Sequence, residues 1–455
     1  MTPDVVPPET MPPEKIVPET MTVVRPQRLR GSVRVPGDKS ITHRALIFNA
    51  IAEGDARVEG FLDAADTRST LEALRSLGVA IEQLAPDQLL VHGRGRAGLS
   101  EPADVLDCGN SGTTIRLLSG LLAGVPFLSV LSGDASLRGR PMGRIVEPLR
   151  TLGARISARA AGTLPPLVVE GGALAGGQRI ATAVASAQVK SALLLAGLAA
   201  DGPTTVVEPA RSRDHSERML GAMGAGIVIE GQTVTLTPPD GDLVAVGVRV
   251  PGDISTAAAW IVAATLHPDA ELLLEGVGLN PTRSGLIEVL RAMGAEIEEL
   301  EARTVGGEPV ADLRVRSASL VGTRISGEVV PRAIDELPLL ALAGALAEGE
   351  TVIADAAELR VKESDRVATT AAVLRALGVE VEERTDGLVV AGGARLRGAA
   401  IEAAGDHRLA MLGAVAGLLA DGETVVAGAG AVAVSYPDFW TDLRRLGATA
   451  AVVRG

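Results

Sequence analysis

The sequence predicts an α/β protein of two domains, each assembled from three copies of one supersecondary unit. A duplicated hexamer is the first sign: Val33-Arg34-Val35-Pro36-Gly37-Asp38 recurs as Val248-Arg249-Val250-Pro251-Gly252-Asp253, each followed by a Ser-containing turn and an Ala/Leu-rich segment. A second signature, an apolar residue, two variable positions, Leu or Met, then Gly, closes at Gly78, Gly153, Gly224, Gly294, Gly378 and Gly447. Its glycines fall about 70 to 85 residues apart, longer than the usual solenoid period. Finally, 47% of the 455 residues are hydrophobic but only 2% are aromatic, so Ala, Val and Leu must fill the cores, which favours close packing of many short helices.

Each unit reads as a short strand, a turn, an Ala/Leu-rich helix, a Val/Thr-rich strand, a second helix ending on the Gly signature, and further strands. In the first unit Ser32–Val35 is strand-like, Pro36-Gly37-Asp38 is turn chemistry, Ile41–Ala52 has helical composition up to Gly54, and strand Ala56–Glu59 follows. First helices elsewhere are expected near Asn110, Ser186, Asp253, Asp335 and Asp406. These polar and acidic residues suit ordinary N-capping. Several such helix ends aimed at one place would also make a site for phosphate and carboxylate. The twin hexamers sit where one domain hands over to the other, which predicts a discontinuous domain, 22–37 plus 252–455, an inserted domain, 38–251, and a ligand cleft between them.

Composition narrows the function. A net charge of −13 opposes non-specific nucleic-acid binding, which needs a basic footprint. One cysteine, Cys108, and five scattered histidines offer no disulfide framework and no metal-ligand spacing, so no metal is expected. The uncharged run Leu117–Gly133 is shorter than the roughly 20 residues that span a bilayer and contains Pro126. Residues 1–21, rich in Pro and Glu and without a signal core, read as a disordered tail of a cytoplasmic protein.

Several segments carry more than cap chemistry. Gly37-Asp38-Lys39-Ser40-Ile41-Thr42-His43-Arg44 sets two cations at a turn into a helix, but Asp38 separates Gly37 from Lys39, so it is not a Walker P-loop. Leu106-Asp107-Cys108-Gly109-Asn110-Ser111-Gly112-Thr113-Thr114-Ile115-Arg116 is a small-residue turn opening a helix, and Arg138-Gly139-Arg140-Pro141, Ser186-Ala187-Gln188 and Arg211-Ser212-Arg213-Asp214-His215 follow. Arg360-Val361-Lys362-Glu363-Ser364-Asp365-Arg366 and Gly405-Asp406-His407-Arg408 complete the set. Taken alone, the run from Arg360 to Arg366 reads as a solvated helix face with i,i+4 pairs. Together, cations at repeated helix entrances of a net-acidic protein suit phosphorylated and carboxylated substrates.

In their order, from about Leu29 to Leu446, these motifs resemble those of the 5-enolpyruvylshikimate-3-phosphate (EPSP) synthase family. The resemblance implies two domains of three βαβαββ units each, arranged like an inside-out α/β barrel. It also implies transfer of the enolpyruvyl group of phosphoenolpyruvate to the 5-hydroxyl of shikimate 3-phosphate, without cofactor or metal; a monomer is the default expectation. Carried onto matching positions, Lys39, Ser40, Arg44, Ser186, Gln188, Arg213, Asp335 and Lys362 would bind shikimate 3-phosphate. Lys39, Gly112, Arg140, Gln188, Arg366 and Arg408 would hold phosphoenolpyruvate. Asp335, Glu363 and Lys39 are the implied catalytic groups, because the chemistry needs two proton-transfer groups of different basicity. Val434 stands where one branch of the family has Lys.

Two rivals are weighed by residues. The sister enzyme acting on UDP-N-acetylglucosamine carries a Cys shortly before an Arg-Pro pair, whereas Asp134, Ala135 and Ser136 precede Arg140-Pro141 here, and Cys108 lies about thirty residues earlier. A non-catalytic ligand-binding relative would have lost Lys39, Asp335, Glu363 or the arginines, and all are present.

Overall fold

One strand pattern recurs in all six sheets of the computed structural model, which describes residues 19–453. Leu106–Asp107 runs parallel to Leu128–Ser132, which pairs antiparallel with Leu164–Glu170, itself antiparallel to Arg155–Ala158. With the helices Gly112–Leu122 and Gly143–Thr151 between them, these strands form one βαβαββ unit. Three sheets borrow strands from afar. Leu243–Val244 and Val248–Arg249 return to pair with Ala52–Glu59, and Leu29–Val33 runs parallel to Ala270–Gly278.

The first helix runs Lys39–Ala50 rather than from Ile41, because Asp38 accepts from the Ile41 N–H and so sets the cap two residues earlier than expected. The strands beside it shift accordingly, to Leu29–Val33 and Ala52–Glu59. The tail expected over 1–21 lies outside the described residues up to residue 18, but Thr20 and Met21 belong to strand Thr20–Val24. That strand sinks Met21 and Val23 into the core and pairs with Glu423–Ala427 and Thr449–Val452.

Helices Ile254–Leu266, Leu337–Leu346 and His407–Gly417 are apolar on nearly every face and pack on one another, with sheets outside them. A helix without a polar face has to be surrounded. Lys39–Ala50, Gly112–Leu122 and Ala187–Gly197 play the same part in the other half, where a β-carbon on Gly120 would fall 2.1 Å from the Ala192 carbonyl oxygen. The small-residue composition thus permits backbone contact between helices. Buried apolar side chains form two clusters, one drawing on Met21–Val35 and Ile254–Ala450, the other on Ile41–Val250.

The second signature is a helix stop. All six closing glycines have positive φ, from 88° at Gly78 to 111° at Gly294. In each, the residue after Gly donates its N–H to the carbonyl of the leading Leu, as Val79 does to Leu74 at 3.1 Å and Ala295 to Leu290 at 2.9 Å. This is the Schellman arrangement, which satisfies orphan carbonyls and requires a left-handed residue. Five units add a clamp that the sequence reading missed. Arg75, Arg150, Arg291, Arg375 and Arg444, just after the leading Leu, donate to the carbonyls of Ile81, Ile156, Ile297, Val381 and Ala450, six residues on.

The third unit has Gly221 in that place, where a β-carbon would meet nothing nearer than Ile227 Cγ1 at 4.0 Å. Gly221→Arg is therefore expected to stabilise the protein by about 0.5–1 kcal/mol, through helix propensity and a regained hydrogen bond. A urea-unfolding midpoint that stays put or falls would refute this.

The twin hexamers lie side by side as the chain crosses between the two cores. Gly37 and Gly252 form a bridge, the Asp38 N–H donates to Pro251 O at 2.8 Å, and the Asp253 N–H donates to Pro36 O at 2.9 Å. A β-carbon on Gly37 would fall 1.9 Å from the Gly60 carbonyl oxygen, so only Gly fits. Buried Arg283 spans the crossing, with Nη1 2.7 Å from Asp38 Oδ2 and Nη2 2.9 Å from Asp253 Oδ1.

Candidate active site

The six inner helices all begin on polar cap residues. Asp38, Ser111, Asp253 and Asp406 accept from backbone N–H groups of their own first turns, and Ser186 stands at the cap position without such a bond. Two starts differ from expectation. Ser111 is the cap, not Asn110, whose side chain instead accepts from Arg140 and donates to Asp134. Glu336 stands at the cap of Leu337–Leu346, so Asp335 is displaced from the helix end and turns toward cations. Dipole compensation alone does not account for its position.

Asp335 receives Arg213 Nη2 at 2.5 Å, Arg366 Nη1 at 3.0 Å and Lys362 Nζ at 3.4 Å. Arg213 also reaches Ser40 Oγ at 3.4 Å. Arg366 is fully buried and donates in addition to Glu363 at 2.7 Å and Asp406 at 2.8 Å. Arg140 lies 3.8 Å from Glu363, and a β-carbon on Gly112 would stand 3.4 Å from Arg140 Nη1. Gln188 accepts from Arg116 and donates to Thr113 at 2.9 Å. Arg408 donates to the Ser255 carbonyl at 2.8 Å.

Ser40, Gly112, Arg140, Arg213, Asp335, Lys362, Glu363 and Arg366 thus meet in one cluster, to which residues from both cores contribute. Gln188 stands at its edge through Arg116, which is 2.9 Å from the β-carbon position of Gly112. Lys39 pairs with Asp66 at 3.2 Å, a partner the sequence reading did not single out. Arg44 is buried and spends donors on Ser216, Ser191 and the Ser40 carbonyl, tying three helices together. Arg116, which ends the segment 106–116, was given no role, and Arg144 and Arg283 were missed. Arg144 follows the Arg140-Pro141 motif, and its position there was the available signal. Nothing in the chain near Arg283 marked it.

The electrostatics separate two neighbouring carboxyls. Burial pushes Asp335 up, but Lys362, Arg213, Arg408 and Arg366 outweigh it and hold the group well below the ordinary carboxylate range. Glu336 moves the opposite way, raised by burial and then by Asp335 despite nearby Arg408. Glu363 behaves like Asp335: burial is outweighed by Arg366, Arg140 and Lys39. Burial, with Lys39 and Arg408 beside it, lowers His407 to about 3, so its imidazole is neutral and adds no cation. Split environments of this kind mark acid/base sites. The arrangement can bind two anions and hold ionised carboxylates between them.

Asp214, His215 and Glu308 also lie close enough together to hold an ion. Asn280 Nδ2 donates into that space, to Asp214 and to Glu308 at 2.7 Å each, which makes it a tie between the two cores. Cys108 is fully buried, and burial pushes its thiol pKa up, which leaves an inert thiol. Among the described residues no helix is long and apolar enough to cross a membrane.

The sequence profile of the family described as EPSP synthase (3-phosphoshikimate 1-carboxyvinyltransferase) matches residues 23–443. The chain belongs to the EPSP synthase family. It is similar to a 3-phosphoshikimate 1-carboxyvinyltransferase of Roseiflexus castenholzii, 57% identical over 428 residues that cover 93% of this chain and 99% of the relative. The like-named protein of Herpetosiphon aurantiacus is 55% identical over 421 residues, covering 92% and 97%. A solved EPSP synthase from Acinetobacter baumannii superposes with a TM-score of 0.84 at 43% identity, covering 95% of this chain and all of that one. The enolpyruvyl transferase NikO from Streptomyces tendae, with TM-score 0.76 and 21% identity over 95% and 99% of the two chains, shares the fold. EPSP synthase family membership therefore accounts for the repeats and the inner helices in one architecture.

Proposed function

We infer that this chain transfers the 1-carboxyvinyl group of phosphoenolpyruvate to the 5-hydroxyl of shikimate 3-phosphate and releases inorganic phosphate. The observation that carries the reading is the cluster in which cations from both cores converge on two ionised carboxylates, Asp335 and Glu363. Together with family membership, it supports a cleft between a domain of residues 22–37 plus 252–455 and an inserted domain of 38–251.

In this reading Ser40, Arg44, Ser186, Gln188, Arg213 and Lys362 bind shikimate 3-phosphate, and Gly112, Arg140, Gln188, Arg366 and Arg408 bind phosphoenolpyruvate. Lys39 faces both. Without substrate, Asp335 and Glu363 neutralise the cations that later hold the two anions. As phosphate and carboxylate groups take over those cations, the two carboxylates lose the charges that depress their basicity. Asp335 then accepts the 5-hydroxyl proton, and the freed oxygen adds to C2 of phosphoenolpyruvate. Glu363, no longer held ionised once substrate engages Arg366 and Arg140, takes up a proton from solvent, and the methylene carbon takes that proton from it, helped by Lys39, giving a tetrahedral intermediate. Return of a methyl proton to the Glu363 carboxylate and departure of phosphate restore the vinyl group, with the arginines stabilising the leaving charge. Holding both reactants in a closed cleft supplies proximity and excludes water. We place the protein in the cytoplasm as a monomer, acting without cofactor or metal.

Phosphate release from phosphoenolpyruvate is expected with shikimate 3-phosphate and not with UDP-N-acetylglucosamine, and is expected to disappear in Lys39→Ala. Release with the nucleotide sugar instead, or with neither acceptor, would overturn the assignment.

A further inference from the structure

Two ion pairs cross the cleft side by side. Arg140, just ahead of helix Gly143–Thr151, faces Glu363 at 3.8 Å, while Arg144, in the first turn of that helix, donates from Nη1 to Glu358 Oε1 at 2.6 Å. Glu358 lies in the turn Ala357–Val361, which leads directly into Lys362 and Glu363. The fates of the two pairs must differ during turnover. Phosphoenolpyruvate, in the function proposed above, enters between Arg140 and Glu363 and parts them, whereas Arg144 and Glu358 lie outside the reacting groups.

We propose that Arg144 and Glu358 form a latch between the two lobes, a positioning pair that keeps the Glu363 turn against the Arg140 helix after substrate has separated the inner pair. Three features support it. The pair is partly buried, with side chains 18% and 36% exposed, so it is screened less than a surface pair and desolvated less than a core one. Opening therefore remains cheap. Next, Arg116, Arg140 and Arg144 crowd one side of the cleft: burial first, then Arg144 and Arg140, lower Arg116 to about 10, and the carboxylates opposing this are Glu363 and Glu358, both from the other lobe. Closure brings those carboxylates to the arginines. Lastly, Arg360 braces the Glu358 turn, pairing with Asp365 at 2.7 Å and Glu383 at 3.1 Å and donating to the Thr385 carbonyl at 2.8 Å, so a pull on Glu358 is passed to the segment that carries Glu363.

The test is a charge exchange on the full chain: Arg144→Glu, Glu358→Arg and both together, with neutral Arg144→Gln and Glu358→Gln as milder versions. Each reversal sets like charges across the cleft and is expected to raise KM for phosphoenolpyruvate about tenfold with kcat within about twofold. The exchanged pair is expected to return KM to within about twofold of the parent, a coupling that general structural damage would not produce. Small-angle scattering of the ligand-free proteins should show the single reversals more expanded than the parent and the exchange as compact as it. Parent-like KM and compactness in both reversals, or an exchange as impaired as the two reversals combined, would overturn the latch. If the parent releases no phosphate with shikimate 3-phosphate, the reaction assignment fails while scattering still decides the latch.

Discussion

Asp335→Asn is expected to lower kcat by about 10²- to 10⁴-fold while changing KM for either substrate much less, the range a positioned general base contributes. Asn keeps the size and one acceptor oxygen, so one of the bonds from Arg213 and Arg366, which go to different oxygens, keeps its partner, but it cannot take the 5-hydroxyl proton. The location of the group matters. Asp335 is not the cap of its helix, a place Glu336 occupies, and three cations are aimed at it. A purely structural carboxylate in that position would show its loss in KM, because the cations it organises are the anion ligands. Steady-state phosphate release at saturating substrates checks this, and a kcat within tenfold of the parent would remove Asp335 from the chemistry.

Arg283→Met is expected to cost about 3–5 kcal/mol of stability, the range for removing one partner from a buried charge network. The guanidinium is 2% exposed and joins Asp38 to Asp253, which cap the helices Lys39–Ala50 and Ile254–Leu266 from the two crossing strands. Its loss leaves two buried carboxylates uncompensated. Asp38→Asn and Asp253→Asn in the same chain should recover much of the deficit, since Asn still offers an oxygen to the capped N–H groups. The pH dependence has a definite sign. Burial raises Asp38, but Arg283 and other partners outweigh it and hold the carboxyl below its unfolded value, near 3.9. Its stabilising contribution is full above that value and is lost as pH falls toward the folded pKa. The gap between parent and Arg283→Met therefore narrows as pH drops below about 4. Urea unfolding from pH 7 down to pH 3.5 measures it, and a gap independent of pH would contradict the charge argument.

Repetition made the architecture readable. The Leu-x-x-Leu-Gly signature is local chemistry: a left-handed Gly and a 6→1 hydrogen bond need only residues adjacent in the chain, so six helix ends could be placed from composition and spacing. The same holds for Ser186, Asp253 and Asp406 as caps. The cation-bearing helix entrances were visible for the same reason, and family motifs attached substrate roles to them.

What the chain by itself determined is therefore the unit, its sixfold recurrence, the crossing hexamers and the residue types brought to the cleft. Tertiary structure alone decided the partners. Arg44 faces Ser191 and Ser216, Lys39 faces Asp66, Arg144 meets Glu358 and Arg283 closes the crossing, all between residues 27 to 245 positions apart. Even the split between Asp335 and its neighbour Glu336 arises in this way, since cations from distant segments surround one carboxyl while burial governs the other. Charge pairs are set by distance and by how much water remains between the partners, and neither quantity exists until the two cores have packed.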